Sequence, residues 1–325
     1  MSQSHSLWSI ILAGGEGEQT RPFIERWLGY PKPKQYCTFV GNRSMLQHTL
    51  DRADHLGAPH QKITVVAQTH QGFAGEALTG QRAGQVILEP NYCGTASGMF
   101  LPLTYVRAWD PSATVVIFPS DHFVFPENRF LEMVRRAIRG SRTLQDRLLL
   151  LGVRPTHLEL DYGWMNMGGV LGWSGGSCVR QVDSFVEQLD HIQALNAMAK
   201  GALWNTSVIV GKVSTIWRLG WQYVPVIMER FERLGKAIGS THEGRMLRQL
   251  YQKMPILDVS SELLQRVPER LGMIELEDVL WSDWEGSDRI RDTLNAIGKE
   301  PAFPSELSTG PCTFPHALSS LEMTR

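Results

Sequence analysis

Two features near the start of this 325-residue sequence could handle anions. Leu12, Ala13, Gly14, Gly15, Glu16 and Gly17 close an apolar run, and Tyr30-Pro-Lys-Pro-Lys-Gln-Tyr36 follows a short distance on. Glycines after a strand let backbone N–H groups converge on phosphate oxygens, and prolines around a lysine hold its charge on stiff backbone. The loop is not the Gly-Lys-Ser/Thr type, and Thr20 stands where a dinucleotide fingerprint needs its third glycine. Further on, Asp121 follows the apolar run Val115-Val-Ile-Phe118, and Asp283 lies between Ser282 and Trp284. Magnesium is usually held by one or two carboxylates together with substrate phosphates, so these residues are consistent with phosphate chemistry assisted by a divalent cation. Taken singly, each has an ordinary reading as a strand-to-helix turn or a helix cap. His122 reads as a structural neighbour, because hard magnesium prefers oxygen.

Apolar runs of strand length recur at Ser9 to Ala13, Ile63 to Ala67, Val86 to Leu88, Thr114 to Pro119 and Leu148 to Val153. Helical patterns lie between them. Ser44 is placed to cap one that carries Met45, Leu46, Thr49 and Leu50, and Glu127 to Ile138 forms another. Alternating buried strands and amphipathic helices predict an open, mainly parallel, Rossmann-like α/β sheet with ligands at the carboxyl ends of its strands. Past Tyr162 the spacing predicts a turn over Gly168 to Gly176, a strand over Cys178 to Val186 and a helix from Ile192 to Lys200. A mostly helical portion follows over 213–271, then a helix over Gly286 to Gly298. Prolines and glycines crowd 299–325, which reads as an extended tail after one domain spanning 1–298.

Composition excludes several other classes. Lys and Arg number 32 against 33 Asp and Glu, which gives no global drive toward nucleic acid or a membrane surface. Arg135, Arg136, Arg139 and Arg142 read as a solvated helix face, and most of the ten tryptophans as packing. Cys37, Cys93, Cys178 and Cys312 form no paired motif, which points away from zinc and disulfide frameworks. The first residues lack the charge and length of an export signal, so a cytoplasmic location is expected.

The ordered motifs resemble sugar-1-phosphate nucleotidyltransferases, in particular mannose-1-phosphate guanylyltransferases. The glycine loop and Pro33-Lys-Gln-Tyr36 resemble the family signature, and Glu89-Pro-Asn-Tyr-Cys-Gly-Thr-Ala96 its base and ribose segment. Phe118-Pro-Ser-Asp-His122 and Trp281-Ser-Asp-Trp284 look like its two metal segments, while Asp161-Tyr-Gly-Trp164 and Leu203-Trp-Asn-Thr206 resemble its sugar turn and W-N motif. The resemblance implies a nucleotide-diphospho-sugar transferase fold with Lys34 on the triphosphate. It also implies Leu12, Ala13, Gly14, Gly15, Gly17, Glu89, Pro90, Thr95 and Ala96 around the nucleotide. Tyr162, Gly163, Glu187, Gln188 and Asn205 then meet the sugar phosphate, and Asp121 and Asp283 hold Mg2+. The implied substrates are GTP, or another nucleoside triphosphate, and a sugar 1-phosphate, with neither nucleic acid nor membrane as partner. Such folds commonly associate, which allows a homo-oligomer, although the sequence indicates no interface.

Two positions depart from the family pattern. Gln19 stands where an arginine usually clamps the leaving phosphates, with Arg21 two places on as a candidate substitute, and Gln188 stands where a lysine meets the sugar phosphate. Losing one charge-assisted phosphate contact costs about 1.5–3 kcal/mol, so weakened turnover is an expectation. A relative using another base or hexose phosphate, or a nucleotide-sugar-binding regulatory protein, therefore stays open. The stretch after Gly298 is too short for the isomerase domain of bifunctional relatives, so a single activity is expected.

Overall fold

The computed structural model describes residues 6–307, so Cys312 and the tail from 308 onward lie outside the described residues. Eleven strands occur in that range: β1 Leu7–Ala13, β2 Lys62–Ala67, β3 Gln85–Glu89, β4 Thr114–Pro119, β5 Phe123–Phe125, β6 Leu148–Val153, β7 Trp164–Ser174, β8 Ser177–Val186, β9 Leu203–Lys212, β10 Leu271–Glu275 and β11 Leu280–Ser282. Nine of them form one sheet in the order β3-β2-β1-β4-β9-β6-β10-β8-β7, and β5 pairs with β11 in a separate ribbon. Only β8 and β9 run against the common direction of the large sheet, which is the mainly parallel α/β architecture expected.

The strand period divides the core. Ile10, Ile63, Val65, Val115 and Ile117 face the helix Gly94–Trp109 and the helical portion behind it. Val116 and Phe118 point the other way, onto Phe130, Met133, Val134 and Ala137 of the helix Glu127–Thr143. Burial on both faces explains why these strands read as continuous apolar runs. The helix Met45–Asp54 begins at a capping box, in which the Ser44 side chain accepts from the Gln47 backbone and the Gln47 side chain accepts from the Ser44 backbone.

One expected element differs. Gly168 to Gly176 is not a turn as a whole: β7 continues to Ser174, and the chain reverses only at Gly175 and Gly176. The glycines of β7 fall where its register with β8 shifts, so they mark bulges in a strand. The start of the proline-rich stretch is docked. Phe303 packs edge-on against Phe23 and Trp27, and the Ala302 N–H donates to the Phe39 carbonyl at 2.8 Å. Among the described residues no helix is long and apolar enough to cross a membrane.

Candidate active site

The glycine loop leaves the end of β1, the third strand from one edge of the sheet, beside the ends of β2 and β4. It is laced to the short turn Lys34–Tyr36. Gln35 Nε2 donates to the carbonyls of Ala13 and Gly15 at 3.1 and 2.8 Å, and the Tyr36 hydroxyl donates to that of Ala13 at 3.2 Å. Gly17 has a φ of +62°, and a Cβ there would stand 3.3 Å from Lys34 Cβ, so loop and lysine approach closely only because the residue is glycine.

The ribbon of β5 and β11 brings the two aspartates together. Its antiparallel register sets Phe123 opposite Ser282, so Asp121, just before β5, lies beside Asp283, just after β11. Lys34 is the shared partner. Its fully buried ammonium donates to the Asp283 carbonyl at 2.7 Å and pairs with Glu285 Oε1 at 3.0 Å and Asp121 Oδ2 at 3.1 Å. Burial disfavours the Lys34 charge, but the Asp121, Glu285 and Asp283 carboxylates outweigh it and hold the lysine above its ordinary pKa. Burial likewise works against the Asp121 charge, and Lys34 and His122 overcome it to keep that carboxyl below the usual range.

Asp283 serves a second cation. Arg289, in the first turn of the helix Ser287–Ala296, donates through Nη1 to both Asp283 oxygens at 2.8 and 3.1 Å and to the Tyr162 hydroxyl at 2.8 Å. The Tyr162 hydroxyl in turn donates to Asp283 Oδ1 at 2.6 Å, and Arg289 Nη2 pairs with Glu159. Burial and the Asp283 charge raise the Tyr162 pKa, so this phenol stays protonated as a donor. Four carboxylates, Asp121, Asp283, Glu285 and Glu159, thus surround two cations. His122 accepts from Trp281 Nε1 at 3.3 Å, and its Nε2 lies 3.9 Å from Asp121 Oδ1.

The Gly94 end of the cleft is built on Glu89, the last residue of β3. Its Oε1 accepts from Ser97 at 3.2 Å and from the Tyr251 hydroxyl at 3.1 Å, while Oε2 lies against Gly14. Burial pushes the Glu89 carboxyl up to about 7 despite those two donors. Ala96 is buried, Pro90 is half-buried, and Thr95 is fully engaged: its hydroxyl donates to Asp258 at 2.6 Å and accepts from the Val259 N–H at 2.8 Å. On the opposite side Gly163 and Asn205 are joined by a 2.8 Å backbone bond, and a Cβ on Gly163 would lie 3.4 Å from Glu187 Oε1. Burial raises the Glu187 carboxyl, with Ser260 as its hydrogen-bond partner. Gln188 beside it adopts a left-handed φ of 57°.

Lys34, Asp121, Asp283 and Tyr162 therefore form one bonded cluster. Gln19 and Arg21 do not join it: both are exposed, and Arg21 pairs with Glu25 one turn along its own helix. Sequence reasoning misses Glu285, Arg289, Glu159 and Tyr251. Glu285 and Arg289 sit two and six residues after Asp283, a cue available there, whereas nothing local marks Glu159 or Tyr251. Among the described residues no group of three or more histidine, cysteine, aspartate or glutamate side chains is arranged as a ready metal site. Asp121, whose Oδ1 has, among the described residues, only His122 Nε2 near it at 3.9 Å, fits a cation shared with a phosphate, while both Asp283 oxygens are held by Arg289 and Tyr162.

A glycine loop after β1, a buried lysine, Asp121 after β4 and Asp283 after β11 meet at one side of a mainly parallel α/β sheet, an arrangement suited to phosphate groups. Residues 8–237 match the family model described as Nucleotidyl transferase, and the chain belongs to that family. It is 28% identical over 227 residues to the xanthan biosynthesis protein XanB of Xanthomonas campestris pv. campestris strain B100, covering 69% of this chain and 46% of that protein. It is 24% identical over 286 residues to the mannose-1-phosphate guanylyltransferase of Escherichia coli, covering 86% of this chain and 60% of the relative. The chain thus spans about half the length of the curated relatives it matches. In fold it is similar to the Thermus thermophilus protein described as mannose-1-phosphate geranyltransferase, with a TM-score of 0.74 at 22% identity, over 89% of this chain and 79% of that one.

Proposed function

We propose that the protein joins a nucleoside triphosphate to a sugar 1-phosphate with release of pyrophosphate, and that GTP and mannose 1-phosphate are its substrates. The observation that carries the reaction class is the buried Lys34 ammonium, tied to Asp121 and the Asp283 segment beside the glycine loop. The similarity to mannose-1-phosphate guanylyltransferases supports the choice of base and sugar. In the reaction a sugar-phosphate oxygen forms a bond to the α-phosphorus. The bond from that phosphorus to the bridging oxygen breaks, and the electron pair leaves with pyrophosphate. The nucleophile is already anionic and needs no general base. The chain's own task is to hold two mutually repelling anions in line and to offset charge at phosphorus and leaving group.

Lys34 is the cation suited to the triphosphate. Four carboxylates around two protein cations leave the cluster short of positive charge, which favours recruitment of Mg2+ by Asp121 together with substrate phosphates. Bound there, Mg2+ supplies charge neutralisation at the reacting phosphates. Tyr162, Gly163, Glu187, Gln188 and Asn205 line the side assigned to the sugar phosphate, and the glycine loop with Glu89 the side assigned to the nucleotide. Pyrophosphate release from each common nucleoside triphosphate with mannose 1-phosphate and magnesium tests the reading. Release with GTP supports it in full, release with another triphosphate corrects the base, and silence with all of them refutes it as an enzyme acting on mannose 1-phosphate.

A second reading is favoured by the engagement of Lys34 and Asp283 with protein partners and by the uncharged Gln19 and Gln188. In it the chain is a regulatory protein that binds a nucleotide sugar without making one. Product binding without pyrophosphate release would support this reading over catalysis.

A further inference from the structure

Lys34 is closed in by protein groups. Its ammonium donates to the Asp283 carbonyl at 2.7 Å and to Glu285 Oε1 at 3.0 Å, and is ion-paired with Asp121 Oδ2 at 3.1 Å, so three protein oxygens enclose it. The lysine side chain has no exposed surface. For a phosphate oxygen to reach this nitrogen, one of the three must leave.

The three are not equally free to do so. The Asp283 oxygen is main chain, and its residue is pinned by Tyr162 and Arg289. Asp121 is 31% exposed, but its side chain is short, lies between β4 and β5, whose ends are fixed by pairing with β1 and β11, and turns its other oxygen to His122 Nε2 at 3.9 Å. The Glu285 carboxylate is a quarter exposed and stands on the turn that leads into the helix Ser287–Ala296. Trp284 anchors that turn, stacking on Phe123 at 4.4 Å and meeting Phe39 edge-on. The backbone is thereby held, and rotation of the Glu285 side chain is the motion left.

We propose that Glu285 stands in on Lys34 for a substrate phosphate, and that its departure lets the site take up the triphosphate. A carboxylate oxygen and a phosphate oxygen make the same charge-assisted bond to an ammonium, so the two compete for one nitrogen. Glu285 thereby sets the affinity of the site for phosphate. Apparent affinity falls by the fraction of molecules in which Lys34 is open, so a pair closed nine-tenths of the time weakens binding about tenfold. The inference rests on Lys34 being the phosphate contact.

The test is a double-mutant cycle read by calorimetric binding of inorganic tripolyphosphate in the presence of magnesium. Glu285→Gln is expected to tighten binding about tenfold, Glu285→Ala at least as much, and Lys34→Met to weaken it. In the Lys34→Met background the Glu285→Gln gain should vanish. Unchanged or weaker binding by Glu285→Gln overturns the proposal while leaving the role of Lys34 intact. An equal gain with and without Lys34 overturns it too, since Glu285 would then act by general repulsion. Unchanged binding by Lys34→Met alone removes Lys34 from the phosphate site, and the proposal falls with it. Thermal unfolding checks each variant, and Lys34→Gln takes the place of Lys34→Met if the latter does not fold.

Discussion

Glu89 is a buried carboxyl that changes charge near neutral pH, and its effect on stability can be worked out in sign and size. It is almost fully enclosed, and its pKa rises from the usual 4.5 to about 7. A carboxyl held higher in the folded state than in the unfolded one binds more protons when folded. Its contribution to stability is therefore fully present below about pH 4.5 and is lost as pH rises through 7. The complete loss is about 3 kcal/mol, and most of it falls between about pH 5 and about pH 8.5. Glu89→Gln keeps an oxygen to accept from Ser97 and Tyr251 but cannot ionise. Urea unfolding of both proteins across that range should show the variant gaining on the parent by roughly 2–3 kcal/mol from the acid to the alkaline end. Parallel pH curves for the two proteins would refute the reasoning, because they would mean that Glu89 titrates alike in the folded and unfolded states. Below about pH 4 the two should nearly coincide, apart from the constant offset of replacing one hydrogen-bonding group by another.

Other substitutions test separate parts of the site. Gly94 has a φ of +83°, and a Cβ there would lie 2.2 Å from the Leu257 carbonyl oxygen, so Gly94→Ala should cost about 2–4 kcal/mol in chemical unfolding and loosen Thr95 from Asp258; an unchanged midpoint would contradict this close approach. Arg289→Leu leaves Asp283 and Glu159 without their shared cation and should destabilise by about 3–5 kcal/mol, measured by urea unfolding. Retained stability there would show that the carboxylates find other partners. Gln19→Arg adds a cation on the exposed part of the glycine loop and should raise triphosphate affinity or turnover by roughly one decade, read from pyrophosphate release. No gain in either would place Gln19 outside the phosphate path.

The parts of this molecule that are legible in the sequence are those whose cause is local. Apolar runs buried on both faces mark β1, β2 and β4 closely, and Ser44 with Gln47 marks a helix start, because neighbouring residues determine these features. Strand order has no such local cause. Leu203-Trp-Asn-Thr206 stands out as a motif, yet that it opens an antiparallel strand wedged between β4 and β6 depends on partners more than fifty residues away. The glycines of β7 mislead for the same reason: a bulge paired across a sheet and a free turn call for the same residue.

The site divides along the same line. Gly14 to Gly17, Lys34, Asp121 and Asp283 are legible because each sits in a distinctive local string, and their shared order gives the strings meaning. Glu285 and Arg289 are marked in the sequence only by their nearness to Asp283, and their partners follow from where the β5–β11 ribbon delivers them. Glu285 reaches Lys34 across 251 residues of sequence, and Glu159 reaches Arg289 across 130. These long-range pairs alter the chemistry inferred from the motifs. A lysine and an aspartate that look free for ligand in the sequence are, in the folded chain, already engaged by protein groups. Affinity for the proposed substrates therefore depends on the cost of displacing those groups as well as on the new bonds that the phosphates make.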